Sequence, residues 1–226
     1  TTGMGETASD FLAKVLGPVP AVGLGALALI ASLAVQFALR RYVAWAYWTA
    51  VVMVSVFGTM AADVLHVGLG VPYVVSAPAF LVVLAAVFAF WYRSERTLSI
   101  HGIRTRRREA FYWATVLATF ALGTAAGDLT AGIGFGYLGS VVLFAAAICL
   151  PALAHRFGTL SAVTAFWTAY VITRPLGASL ADWMAVGHTR GGLGLGLAPV
   201  TLAWTVAIAA FVAYLAVSRR DIRGDG

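Results

Sequence analysis

Four aspartates recur at one position of a repeated sequence pattern, and they are the residues of this chain best suited to chemistry. In three segments a Trp is followed ten residues later by Gly, and that Gly is followed five residues later by Asp. The segments are Trp48–Gly58–Asp63, Trp113–Gly123–Asp128 and Trp167–Gly177–Asp182. Gly5 and Asp10 repeat the second offset, and the corresponding Trp would precede Thr1.

The residue four positions before each Asp adds a second oxygen in three of the four cases. These residues are Glu6, Thr59, Thr124 and Ala178. Since positions i and i+4 share a helix face, carboxylate and hydroxyl oxygens can be presented together. Oxygen-rich sets suit hard cations such as Mg²⁺, Ca²⁺ or Mn²⁺. The predicted ion-binding residues are Glu6, Asp10, Thr59, Asp63, Thr124, Asp128, Asp182 and Arg174.

The five acids Glu6, Asp10, Asp63, Asp128 and Asp182 are the predicted metal ligands. His66 and His188 lie on the same side of the predicted spans and could add imidazole, which would favour softer divalent metals. A proton relay would use the same carboxylates without a cage of cation size. We therefore expect no cofactor other than a bound divalent metal ion.

Arg174 breaks the repeat, because the other repeats have Thr2, Ser55 and Phe120 at the same place. A buried guanidinium requires a partner, and we expect an Asp of a neighbouring repeat. Arg174 would then tune the charge of the ion site.

Other parts of the pattern have structural explanations. Gly5, Gly58, Gly123 and Gly177 each begin a small-x3-small spacing, which lets helices approach closely in lipid. Trp48, Trp113 and Trp167 are interpreted as anchors at the membrane interface. The aspartates could themselves be structural, binding backbone amides near the outer ends of their helices.

The elements that position these residues are membrane spans. Of 226 residues, 61% are hydrophobic and only 11% charged, with a mean hydropathy of +0.90, which excludes an ordinary soluble domain. Apolar runs of about 20 residues indicate helical spans rather than barrel strands. The runs cover residues 19–39, 43–66, 71–92, 111–131, 135–154, 161–185 and 197–217.

The Gly5–Asp10 pattern adds one further span, whose first half would precede Thr1. The sequence thus predicts an all-α integral membrane protein of eight spans in four tandem two-helix repeats. Gly5 and Gly123 are 118 residues apart and Gly58 and Gly177 are 119 apart. These spacings indicate two halves, 1–92 and 111–218, a basic linker at 93–110 and a tail at 219–226. An even number of spans per repeat predicts parallel repeats about an axis along the membrane normal, unlike inverted repeats.

The basic residues predict the orientation. Of 15 Lys and Arg residues, 12 fall on one set of alternate connections: Arg40, Arg41, Arg93, Arg96, Arg104, Arg106, Arg107, Arg108, Arg156, Arg219, Arg220 and Arg223. By the positive-inside rule these connections and the C-terminus are cytoplasmic, which places the protein in the cytoplasmic (inner) membrane. The basic linker could also contact anionic lipid headgroups. This distribution explains the net charge of +6 without a nucleic-acid partner, and it leaves homo-oligomers open.

Several short segments of the sequence are similar to those of a family of bacterial membrane proteins. That family is built from tandem two-span repeats, usually four, and its function is unassigned. The similar segments are Phe111-Tyr112-Trp113, Leu122-Gly123-Thr124-Ala125, Thr173-Arg174-Pro175-Leu176-Gly177-Ala178 and Gly191-Gly192-Leu193. The resemblance implies the fold and the repeat architecture, and it implies no activity.

The leading functional prediction is a membrane transporter or channel-like protein for a small cation, either a divalent metal or a proton. One alternative is a non-transporting scaffold or sensor with structural carboxylates, whose basic linker docks a partner or anionic lipid. Another is a proton-coupled exporter of a small organic molecule. Neither a phosphate-binding loop nor a hydrolase or metalloprotease motif occurs in the sequence, so we do not expect an enzyme.

Overall fold

The computed structural model describes residues 1–39, 41–100, 103 and 105–218. It contains eight α-helices: α1 (Thr2–Leu16), α2 (Pro18–Ala38), α3 (Ala44–Asp63), α4 (Tyr73–Glu95), α5 (Arg106–Thr130), α6 (Gly136–Arg156), α7 (Ala162–Ala185) and α8 (Leu197–Ser218). The described part of the chain contains no strand. The predicted tail 219–226, with Arg219, Arg220 and Arg223, and the basic residues Arg40 and Arg104 lie outside the described residues.

Within the described ranges, five helical segments are long and apolar enough to cross a membrane. They are Pro18–Ala38, Ala44–Gly68, Tyr73–Glu95, Arg106–Arg156 and Leu197–Ser218. The 51-residue segment Arg106–Arg156 includes both α5 and α6. The prediction of an all-α membrane protein is confirmed.

Two of the motif helices end in a wider turn. α3 continues into a π-helical turn at Val64–Gly68, and α5 into another at Ala131–Phe135. Between α5 and α6, Gly134 and Gly136 have φ values of 115° and 64°, a conformation that residues with a Cβ rarely adopt. These glycines allow the chain to reverse direction within a few residues.

The motif helices α1, α3, α5 and α7 form a closed inner ring. Each motif glycine faces the residue three positions before the motif glycine of the next helix. The contacts are Gly5 with Ser55, Gly58 with Phe120, Gly123 with Arg174 and Gly177 with Thr2. A Cβ at Gly58 would lie 2.5 Å from Phe120 Cβ, and one at Gly177 would lie 2.7 Å from Thr2 Cβ. The motif glycines therefore lie at close contacts between neighbouring helices, and the fourth contact closes the ring.

Neighbouring inner helices run parallel and in register. Between α3 and α5, the Tyr47 and Tyr112 hydroxyls are 2.6 Å apart and the Thr59 and Thr124 hydroxyls are 3.1 Å apart, and both pairs are separated by 65 residues. A constant separation at two levels is possible only for parallel helices. The repeats are thus related by rotation about the axis of the ring.

The helices α2, α4, α6 and α8 surround this ring. Each packs mainly against the inner helix of the following repeat: α2 on α3, α4 on α5, α6 on α7 and α8 on α1. Their outward faces carry exposed apolar side chains such as Leu27, Val82, Val142 and Phe211. Such a surface suits contact with a lipid bilayer.

An aromatic cluster fills one end of the ring, and it corrects the interpretation of the motif tryptophans. Trp113 and Trp167 are only 4% and 5% exposed, and the Trp167 indole N–H donates to the Leu98 carbonyl at 2.8 Å. Trp48 is half-buried in the same cluster. The interfacial assignment is wrong for Trp113 and Trp167, because ring closure buries these side chains between helices.

Candidate functional site

The side chains along the inner ring change character from one end to the other. Every fourth residue of a helix returns to nearly the same face, about 6 Å further along the axis. Towards one end, three successive levels of this face are Thr2, Ser55, Phe120 and Arg174; Glu6, Thr59, Thr124 and Ala178; and Asp10, Asp63, Asp128 and Asp182. We call the aspartate end the acidic end, and the other, next to the basic linker, the basic end.

Glu6 lies at the centre of the hydroxyl level. Its side chain is 3% exposed, and Oε2 accepts hydrogen bonds from Thr124 at 2.7 Å and Thr59 at 3.2 Å. The predicted carboxylate and hydroxyl positions therefore come together across helices. The two threonines bond Glu6 of α1, whereas the sequence suggested that each would pair with the Asp of its own helix.

The four aspartates have unequal surroundings. Ser9 Oγ donates to Asp63 Oδ2 at 3.3 Å, and the Tyr73 hydroxyl lies beside Asp128. Among the described residues, no side chain donates a hydrogen bond to Asp10 or Asp182. Asp182 is only 8% exposed, so its carboxyl group is a largely buried acceptor. Arg190 is close enough to Asp10 and Asp182 to interact with both electrostatically.

A cavity of about 570 Å³ at the acidic end joins these groups. All five predicted acids line it: Glu6, Asp10, Asp63, Asp128 and Asp182. Arg190 is the one basic side chain among the described residues of its lining, which also includes Tyr73 and Tyr137. The structure therefore brings the predicted acids together in one cavity, which we call the acidic cavity.

The described residues do not form the predicted metal-binding site. Among the described residues, no three His, Cys, Asp or Glu side chains are close enough together to hold a metal ion. His66 and His188 use Nδ1 to bond the backbone carbonyls of Val71 and Gly192, at 3.0 and 3.1 Å. Neither histidine belongs to the lining of the acidic cavity.

Arg174 is not paired with an aspartate, contrary to the prediction. Its guanidinium carbon lies 4.0 Å from the centre of the Phe120 ring and 4.1 Å from that of Tyr170. Nη1 donates to Thr2 Oγ1 at 3.0 Å, and Nε has no hydrogen-bond partner in the described part of the chain. Two aromatic faces replace the expected carboxylate, because Arg174 lies two levels below the aspartates on the same face of α7.

Arg174 and its neighbours close the ring below the acidic cavity. Val51, Val116 and Phe120 are at most 4% exposed, and Arg174 is 6% exposed. A second cavity, of about 810 Å³, lies beyond this barrier at the basic end. Its lining includes Gln36 and Glu109, joined by a 2.9 Å hydrogen bond. The lining of this second cavity comes from α2, α3, α5 and the linker, so it lies against one side of the basic end, and the packed residues of the ring separate it from the acidic cavity.

Several lining residues were not predicted from the sequence. Tyr73 and Tyr137 open the helices that follow two of the motif aspartates, and this recurrence was the available signal. Arg190 and Ser9 carried no such signal, because they reach the cavity from a loop and from an otherwise ordinary small-residue position. The second cavity depends on contacts between α2, α3 and α5, which no local pattern encodes.

Comparison with known families agrees with the repeat architecture. The family model described as Repeat of Unknown Function (DUF347) matches residues 46–97, 111–158 and 165–221. The chain therefore belongs to this family, and the matched segments contain the second, third and fourth motifs. No curated protein and no solved structure matches the chain.

Proposed function

We propose that this protein transports a small cation across the membrane and that the acidic cavity is its binding site. One observation carries the proposal: all four inner helices contribute a carboxyl group to a single cavity, and Glu6 adds a fifth. Acidic groups with low-dielectric walls focus the electric field and concentrate cations. Acidic residues within membrane segments are costly and commonly mark ion pathways.

The unequal partners of the acids identify the residues that contact the cation. Asp10 and Asp182 have no donor among the described residues, and a bound cation would satisfy them. Glu6 Oε2 and Asp63 Oδ2 already accept hydrogen bonds from hydroxyl groups, so these two acids are secondary contacts for the cation. The proposal therefore assigns direct contact first to Asp182 and Asp10.

The two cavities favour transport over simple binding. A packed barrier separates the two cavities, and a carrier needs such a barrier in order to expose its site to one side at a time. The π-helical turns that follow Asp63 and lie just beyond Asp128 are of a kind that is frequent at functional sites. We assign the movement that opens the barrier to the ends of α3 and α5 nearest these turns.

The orientation rests on the basic residues. By the positive-inside rule the basic end faces the cytoplasm and the acidic cavity opens outward, with the C-terminus inside and the protein in the inner membrane. Part of the basic charge is neutralised, since Glu95 pairs with Arg108 at 2.8 Å and with Arg107 at 3.6 Å. We propose that Arg93, Arg96 and Arg106 of the linker contact anionic headgroups.

The proposal is tested by flux into proteoliposomes with three probes: protons, Mn²⁺ and an organic ammonium ion. We expect Asp182→Asn and Asp10→Asn to lower the flux of the transported probe by roughly tenfold or more, because each loses a charge-assisted contact. Glu95→Gln is the matched control, since it removes an acid outside the cavity. Wild-type flux equal to that of empty liposomes for all three probes, or unchanged flux in both Asp variants, would contradict the proposal.

A second candidate is a non-transporting scaffold, and the hydroxyl partners of Glu6 and Asp63 favour it. If the acids have only a structural role, Glu6→Gln should destabilise the fold, and no cation should protect any variant from thermal unfolding. Cation-dependent stabilisation of the wild type that is lost in Asp182→Asn would exclude the scaffold.

A further inference from the structure

The acidic cavity places carboxyl groups at two depths. Glu6 and Asp10 occupy the same face of α1, four residues apart, which corresponds to about 6 Å along the axis. Asp182 and the other aspartates share the outer depth, whereas Glu6 stands alone at the inner one. A ligand that fills the cavity therefore meets carboxyl groups at both ends of a short path.

The cavity is too open for a bare metal ion. The described His, Cys, Asp and Glu residues form no group of three that could hold a metal, whereas a volume of about 570 Å³ falls within the range of pockets for small organic ligands. A metal ion takes ligands at roughly 2–2.6 Å, which these separated carboxyl groups do not provide.

Much of the lining of the acidic cavity is apolar. Ala21, Val22, Met60 and Ala185 belong to the lining, and Ala21 and Met60 are almost fully buried. Such walls give a metal ion or its hydration shell no hydrogen bonds, but they suit methylene groups. Tyr73 and Tyr137 add aromatic surface of a kind that attracts ammonium groups.

From this arrangement, and resting on the function proposed above, we propose that the ligand is a linear organic diammonium ion. One ammonium group binds between the carboxyl groups of Asp182 and Asp10, and the other binds Glu6. The alkyl chain lies along the apolar wall. The Arg174 guanidinium, one level below Glu6, repels the inner ammonium and sets the depth of the site.

The test is equilibrium binding by calorimetry to the purified full chain in detergent, with putrescine, butylamine, ethylenediamine and Mn²⁺ as probes. We expect putrescine to bind roughly tenfold or more tightly than butylamine, which lacks the second charge. Ethylenediamine should bind more weakly than putrescine, because its chain is too short to reach both depths. Tighter binding of Mn²⁺ or equal binding of butylamine would overturn the inference.

Two variants separate the inner and outer contacts. In Glu6→Gln the ratio of the putrescine affinity to the butylamine affinity should fall towards one. Asp182→Asn should instead weaken the binding of both amines. Glu95→Gln should change neither affinity, and a thermal unfolding curve for each variant verifies that it is folded. A putrescine advantage that survives in Glu6→Gln would refute the two-depth arrangement.

The outcomes also separate this inference from the proposed function. Acid-dependent flux of protons or Mn²⁺ without putrescine binding would overturn the diammonium ligand and leave cation transport standing. Putrescine binding without flux of any cation would overturn transport and leave the ligand class standing.

Discussion

Closure of the inner ring makes a quantitative prediction for Gly58→Ala. The added Cβ would lie 2.5 Å from Phe120 Cβ, whereas carbon atoms pack at about 3.5–4.0 Å. α3 and α5 must therefore separate locally by about 1.0–1.5 Å. No change of rotamer relieves the contact, because Phe120 Cβ is attached directly to the backbone of α5. Overpacking of this kind costs about 1–3 kcal/mol.

Gly23→Ala is the matched control, because a Cβ at Gly23 in α2 meets nothing within 4 Å. Both variants gain the same helix propensity, about 1 kcal/mol, so their difference isolates the cost of the close contact. At about 2–4 °C per kcal/mol for a chain of this size, Gly58→Ala should melt about 2–12 °C below Gly23→Ala.

The assay is thermal unfolding of the purified protein in detergent, followed by tryptophan fluorescence. Equal melting temperatures for the two variants would refute the close approach of α3 and α5, and with it the register of the ring. A lower melting temperature in Gly58→Ala alone would support the close approach of α3 and α5 and the register of the ring.

Two further predictions concern the barrier and the basic end. Arg174→Lys should lower the unfolding free energy by about 1–4 kcal/mol, because an ammonium cannot stack on both Phe120 and Tyr170; an unchanged melting temperature would contradict the stacked arrangement. Trp167→Phe should cost about 1–3 kcal/mol, since the Leu98 carbonyl loses its donor. Trp48→Phe should cost less, because the Trp48 indole N–H has no partner, and equal losses would count against the Trp167 bond.

The position of Arg174 could be predicted from the sequence, but its partners could not. Its position in the repeat, three residues before Gly177, was readable from the sequence, and so was the need to compensate a buried charge. The compensating groups were not, because Tyr170 lies on the same helix and Phe120 on the neighbouring one. Which side chain of α5 faces Arg174 depends on the lateral register of two helices, and that register is set by the contact at Gly123.

The motif tryptophans illustrate a similar limit. Their spacing from the motif glycines placed them correctly near one end of each helix. Whether an aromatic side chain at that depth faces lipid or protein depends on how the helices are rotated. In the closed ring, Trp113 and Trp167 are turned inward.

The sequence by itself determined the membrane-spanning helices, the repeat, its parallel direction and the common level of the aspartates. These properties follow from hydrophobic length and from offsets along single helices, which are local and periodic. Only the tertiary structure decided that Gly177 packs on Thr2 to close the ring and that Glu6 accepts hydrogen bonds from Thr59 and Thr124. It also decided that no described side chain donates a hydrogen bond to Asp182. Those facts depend on contacts between segments more than 50 residues apart, and no pattern within one helix specifies which neighbour its face will meet.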